Sequence, residues 1–220
     1  MSAREQIFAR LREALSLHAP AHDGVGLPTV AEQRRVLPPT GTSLEEQFAL
    51  FARQAADLRA TFKRFDAPAE LAVELRALRD REQWRRVASH RGSLAEPLAR
   101  GLDLPLLLTD EGCDKQELEK CDVGISECDA LVAQTGTVVV TSRTAGGRAL
   151  SCLPPHHVVI ARRDQLVSDL PAAFALLKQQ HGANFPSMIS LITGPSRTGD
   201  IERILVLGAH GPKKLTIFCL

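Results

Sequence analysis

From residue 85 to the C-terminus the chain alternates short apolar runs with short helices that open on their own capping residues. That alternation restricts the fold more than any other feature. Residues 85–89 read as a strand, and the run 104–109 (LPLLLT) has the length and continuity of a strand buried on both faces. Ser93 with Glu96 and Asp114 with Glu117 have the spacing of capping boxes for the helices that follow each run. His156–Ala161 and residues 214–220 are further strands. Asp169 caps a helix carrying Leu170, Phe174 and Leu177, with Pro171 in its first turn and Gly182 past its end. Strands separated by short helices predict a parallel sheet covered on both faces. One pair of runs departs from the pattern: residues 130–134 and 138–141 flank Thr135-Gly136-Thr137 and read as a hairpin.

The N-terminal part is helical by the same reasoning. Ser2 and Glu5 form a capping box ahead of Ile7, Phe8, Leu11 and Leu15. Residues 18–41 hold Pro20, Pro28, Pro38 and Pro39 without periodicity, as a linker or a wrapping arm does. Ser43 and Glu46 open a second helix. Its stripe Leu44, Phe48, Phe51, Ala55, Leu58, Phe62 and Phe65 steps by four and three, which predicts one continuous helix with every large side chain on one face. A third helix starts at Asp66, Ala67 and Pro68 and carries Leu71, Leu75 and Leu78. The expected division is a helix and arm over 1–42 and a single α/β domain over 43–220, a length that supports one sizeable core.

Charge and composition narrow the function. A net charge of +1 offers no bulk attraction to nucleic acid or to a membrane, and one Trp with no Tyr makes a poor base-stacking surface. No run approaches a membrane span, and the N-terminus lacks a basic segment followed by an apolar core. The expectation is a soluble cytoplasmic protein that neither inserts into membranes nor binds nucleic acid. Cys113, Cys121, Cys128, Cys152 and Cys219 are odd in number and widely spaced, which suits reduced thiols better than a disulfide framework or a metal site.

Residues 188–212 concentrate the candidate chemistry. A strand ending at Thr193 runs into Gly194-Pro195, and Ser196 or Thr198 caps a short helix opening on Asp200-Ile201-Glu202. Amide N–H groups at such a turn carry partial positive charge, and Arg197 adds a planar fork of donors. This is an anion-binding turn at the carboxyl end of a strand, where open α/β sheets place their ligands. The competing reading is a simple cap, with Arg197 paired to Asp200 or Glu202. Two other small-residue loops, Gln134-Thr135-Gly136-Thr137 and Gly146-Gly147-Arg148, can join it, so that Arg148 and Arg197 grip one anionic organic molecule. His157 and His210 suit either acid–base chemistry near neutral pH or a structural hydrogen bond. The spacing defines no catalytic residues.

Five ordered motifs carry a resemblance. They are Cys128-Asp129-Ala130-Leu131-Val132-Ala133-Gln134-Thr135-Gly136-Thr137, Gly147-Arg148, Leu153-Pro154-Pro155-His156-His157-Val158-Val159, Ser187 followed by Thr193-Gly194-Pro195-Ser196-Arg197-Thr198-Gly199-Asp200-Ile201-Glu202, and Leu205-Val206-Leu207-Gly208-Ala209-His210-Gly211-Pro212. Together they resemble the lactate utilization protein C family. The resemblance implies the fold shared by ribose-5-phosphate isomerase, glucosamine-6-phosphate deaminase, CoA transferases and 5-formyltetrahydrofolate cyclo-ligase, a three-layer α/β/α sandwich with a central, mainly parallel sheet. It also implies a place beside two iron–sulfur partner proteins that oxidise L-lactate to pyruvate, with no cluster or other cofactor on this chain. The runner-up is a stand-alone enzyme of the isomerase, CoA-transferase or cyclo-ligase kind, acting on a phosphorylated or acyl substrate. Family members usually carry glutamate where this chain has Gln134, and an amide cannot act as a general base.

Overall fold

The computed structural model describes residues 3–16, 37–112, 114–198, 206–208 and 210–220. Most of the expected arm, Cys113 and the helix expected at Asp200-Ile201-Glu202 lie outside them. The chain divides into two compact units, Met1–Pro38 and Pro39–Leu220. In the first, α1 (Ala3–Ser16) leaves Ile7, Phe8, Leu11 and Leu15 exposed.

The second unit is built on six strands: β1 (Thr61–Arg64), β2 (Val87–Ser89), β3 (Leu106–Leu108), β4 (Val123–Glu127), β7 (His156–Ala161) and β12 (Lys214–Cys219). Their order is β1-β12-β7-β4-β2-β3, and every neighbouring pair is parallel. One face is covered by α3 (Pro68–Glu82) and α4 (Ala95–Arg100). There Leu71, Leu75 and Leu78 pack on Val123, Ile125, Val158 and Ile160. The other face meets α2 (Leu44–Asp57) and a second sheet. That sheet comprises β5 (Ala130–Val132), β6 (Thr137–Thr141), β8 (Leu166–Val167) and β9 (Ile189–Ile192), in the order β8-β5-β6-β9. The predicted hairpin is its centre, β5 against β6. Side-chain alternation turns Leu131, Val138 and Val140 inward, and Ala130, Val132 and Val139 outward onto Ala173 and Leu177 of α6 (Leu170–His181). A short α5 (Lys115–Glu119) precedes β4.

The long stripe of the second helix does not form one helix. Ser43 and Glu46 make the expected capping box, but α2 ends at Asp57. Ala60 N–H donates to Ala55 O and Arg59 N–H to Ala56 O, with Arg59 at φ 61°, a Schellman closure. No glycine announces it. Phe62 therefore lies in β1, 4.8 Å from the ring of Phe51, whereas Phe65 packs at 5.2 Å against Phe218 in the cluster on the other face. Leu44 is exposed. Two expected boxes also change. Glu96 pairs with Arg100, and the N–H groups of Leu94 and Ala95 donate instead to Glu127 Oε1 at 2.8 and 3.2 Å. Asp114 caps α5, while Glu117 pairs with Arg86 and Lys120 rather than closing its box.

Candidate functional site

Because β9 belongs to the smaller sheet, the turn after it does not stand at a carboxyl end of the parallel strands. It lies at their amino-terminal edge. Gly194 takes φ 85°, and a Cβ there would come within 3.0 Å of Leu58 O. Ser196 N–H donates to Pro212 O at 2.9 Å, and Gly208 N–H donates to Ser196 O at 3.0 Å. The strands β10 (Arg197–Thr198) and β11 (Val206–Leu207) pair just beyond. Lys213 N–H donates to Pro155 O at 2.8 Å, which ties this loop to the starts of β7 and β12.

Between the turn and the sheet is a cavity of about 240 Å3. His157, Gly194, Pro195, Ser196 and His210 line it, together with Ser151, Cys152 and Thr193. His157 is 1% exposed. Its Nε2 lies 2.8 Å from Ser126 Oγ, and its Nδ1 is buried without a hydrogen-bond partner among the described residues. Burial, reinforced by His156, holds its pKa down to about 3, so the ring is uncharged. An uncharged ring with one nitrogen on Ser126 has one nitrogen left for a ligand. Whether Nδ1 donates or accepts follows from which way the Ser126 proton points.

Five of the twelve expected site residues thus share one cavity, and seven do not line it. Gln134, Thr135, Gly136 and Thr137 stand behind it. Gln134 is buried, and its N–H donates to Ser168 O at 3.0 Å. Gly136 takes φ 63°, and a Cβ there would come within 2.9 Å of Gln54 Cβ on α2. The hydroxyls of Thr135 and Thr137 are 2.7 Å apart, and Thr137 is 2.8 Å from the hydroxyl of the cavity residue Thr193. Thr198 lies in β10. The expected two-arginine grip is not formed. Arg148 donates to Ser187 O at 3.3 Å and Arg197 to Leu58 O, and neither guanidinium lines the cavity. The Ser196 amide, used by Pro212, is likewise not a free anion donor. Hydroxyls and imidazoles, not fixed positive charges, give this cavity its polarity.

Sequence reasoning passed over Ser151, Cys152 and Thr193, which only the fold brings together. It also passed over a cleft of about 520 Å3 at the carboxyl ends of β4 and β7, lined by Glu127, Cys128, Asp129, Thr144, Arg162 and His181. Burial holds the Asp129 carboxyl above the usual range, although Thr144 Oγ1 donates to it at 2.6 Å. His181 Nε2 is buried with no partner among the described residues. The Cys128 thiol is pushed well up by burial and then by Asp129. The available signal was Glu127-Cys128-Asp129 directly after an apolar strand, where the carboxyl-end rule applies.

These elements define an α/β protein with a six-stranded parallel core. The same fold occurs in the crystal structure of a DUF162 family protein from Deinococcus radiodurans. The two share a TM-score of 0.61 and 23% identity, over 81% of this chain and 99% of that one. Residues 64–220 match the LUD domain, and the chain belongs to the LUD domain family. Among its relatives is the lactate utilization protein C of Geobacillus kaustophilus strain HTA426, 42% identical over 98 residues, which are 44% of this chain and 41% of that protein. The protein of that name from Oceanobacillus iheyensis is 35% identical over 121 residues, 54% of this chain and 52% of the relative. That of Macrococcus caseolyticus strain JCSC5402 is 40% identical over 105 residues, 46% and 45% of the two chains. The matched stretch therefore spans about half the length of these relatives or less. Among the described residues no helix is long and apolar enough to cross a membrane, and no group of three or more His, Cys, Asp or Glu is placed to hold a metal ion.

Proposed function

We propose that this chain serves lactate utilization as the component without an iron–sulfur cluster in an L-lactate oxidation system. In this reading it associates with two iron–sulfur partner proteins and holds a small organic acid in the cavity around His157. Membership of the LUD family, joined to the name its relatives carry, is the observation that supports the pathway. The cavity supports the ligand class. Serine and threonine hydroxyls and an uncharged imidazole suit the hydroxyl or carbonyl oxygen of a hydroxy or keto acid, recognised by hydrogen bonds. The test is purification of the tagged chain from cells grown on lactate, alongside growth of a deletion strain. Copurification of two cysteine-rich partners and loss of growth on lactate are expected. Normal growth of the deletion strain on lactate would overturn the assignment.

A second reading is favoured by one observation, the carboxyl-edge cleft with its buried Asp129. An enzyme of the isomerase, CoA-transferase or cyclo-ligase kind would use a carboxyl of raised pKa there as a proton donor. Turnover of a phosphosugar or CoA ester by the purified chain, abolished in Asp129→Asn, is the outcome that selects it.

A further inference from the structure

His156 faces the side of the sheet opposite to His157, because the two are consecutive on β7. It lines a cavity of about 280 Å3 between the end of α3 and the starts of β1 and β12. The residue is 4% exposed, and the ring of Trp84 packs edge-on at 5.2 Å. His156 Nε2 lies 2.9 Å from Thr216 Oγ1, while Nδ1 is buried with no partner among the described residues. Buried ring nitrogens are ordinarily hydrogen-bonded, so this one points to a ligand contact.

The charges around it are unbalanced. Arg59, Arg81, Lys213 and Lys214 line the cavity with Glu74 and Glu82. Both carboxylates are already paired, Glu74 with Lys63 Nζ at 2.6 Å and Glu82 with Lys214 Nζ at 2.5 Å. Arg59, Arg81 and Lys213 have no salt-bridge partner among the described residues. They come from three separate elements: Arg59 from the closure of α2, Arg81 from the last turn of α3, and Lys213 from the loop tied to Pro155. Two planar forks and an ammonium supply more donors, and more charge, than a single carboxylate can use. They match a tetrahedral dianion.

We propose that this cavity is a second ligand site, which binds a phosphate group, as the free ion or as the head of a small phosphorylated metabolite. Arg59, Arg81 and Lys213 hold the phosphate oxygens, and His156 Nδ1–H donates to one of them while Thr216 Oγ1–H donates to Nε2. The site is distinct from the cavity around His157, which lies across the sheet, although Leu215 borders both.

Calorimetric titration of the full chain at low ionic strength, with inorganic phosphate and separately with glycerol 1-phosphate, tests this. Arg81→Ala, Lys213→Gln and Arg59→Gly should each weaken binding by about ten-fold or more, the glycine suiting the left-handed backbone at that position. Arg85→Ala, an exposed arginine outside the cavity, should leave it unchanged, and thermal unfolding verifies that each variant is folded. The imidazole nitrogen resonances of His156 should move on adding phosphate, a readout that needs no mutation. Tighter binding of the ester identifies a phosphoryl head, and equal or tighter binding of inorganic phosphate identifies the free ion. Three results would each overturn the site: no binding of either probe at millimolar concentration, full affinity in all three folded variants, or a His156 spectrum indifferent to phosphate.

Discussion

Acidification should destabilise this protein well before its ion-paired carboxylates titrate, because β7 carries two imidazoles that the fold keeps uncharged. Burial is the main cause for both. It holds His156 down to about 4, where Lys214 and Arg81 also push downward and Glu82 opposes them, and it holds His157 down to about 3. The ordinary value is 6.5. A folded pKa below the unfolded one means that the unfolded chain takes up these protons first. The stability is complete above the unfolded value and is lost as pH falls from there toward the folded values. At pH 5, about 1.5 below the ordinary value, each histidine costs about 2 kcal/mol and the pair about 4 kcal/mol. Glu82 and Glu117, whose pKa values are lowered by their lysine and arginine partners, lose their contribution only below the ordinary carboxylate value of 4.5. Asp129, raised by burial, runs the other way: its stabilisation is present at low pH and is lost as pH rises through its folded value. Measuring in an Asp129→Asn background removes that opposition.

The assay is urea unfolding between pH 7 and 5, followed through Trp84. It is the one tryptophan of the chain, is buried, and touches His156 edge-on. Near pH 5 the free energy of unfolding should fall by roughly 2.7 kcal/mol per pH unit, the slope for two protons. His157→Phe should halve that slope whatever it does to the absolute stability. A midpoint that holds level across this range, or a variant as steep as its parent, would refute the burial reasoning.

Three further outcomes follow from local geometry. Glu127→Ala should cost about 2 kcal/mol, because the Leu94 and Ala95 amides that donate to it would lose their acceptor. In a chain of this size that lowers the thermal midpoint by roughly 4–8 °C. Ser93→Ala should stay within about 0.5 kcal/mol, and the reverse ranking would return the cap to Ser93. Gly194→Ala should cost about 1–3 kcal/mol in thermal denaturation, since φ 85° is strained for alanine and its Cβ meets Leu58 O; an unchanged midpoint would mean that the turn has another conformation.

The parallel core was readable because its signals are local. Continuous apolar runs such as LPLLLT, the cap at Asp169 and the glycine of the β5–β6 hairpin each act within a few residues of themselves. What sequence could not show was decided by partners far along the chain. The end of α2 depends on Arg59 adopting a left-handed backbone, a conformation that no residue type at that position announces, so a stripe at helical spacing passed into a strand without breaking step. The cap of α4 comes from Glu127, more than thirty residues away, and it overrides a Ser93–Glu96 pair whose spacing was correct. The site followed the same division. His157, Gly194, Ser196 and His210 were chosen for their chemistry and share a cavity. The arginines were chosen for their charge, and the fold turned both toward main-chain carbonyls. Arginine is long enough to reach several acceptors, so its position in a loop says little about where its guanidinium ends. A histidine inside a strand has no such freedom: the pleat decides its face. Consecutive histidines on β7 must therefore look into opposite sides of the sheet, and a cavity lies on each side.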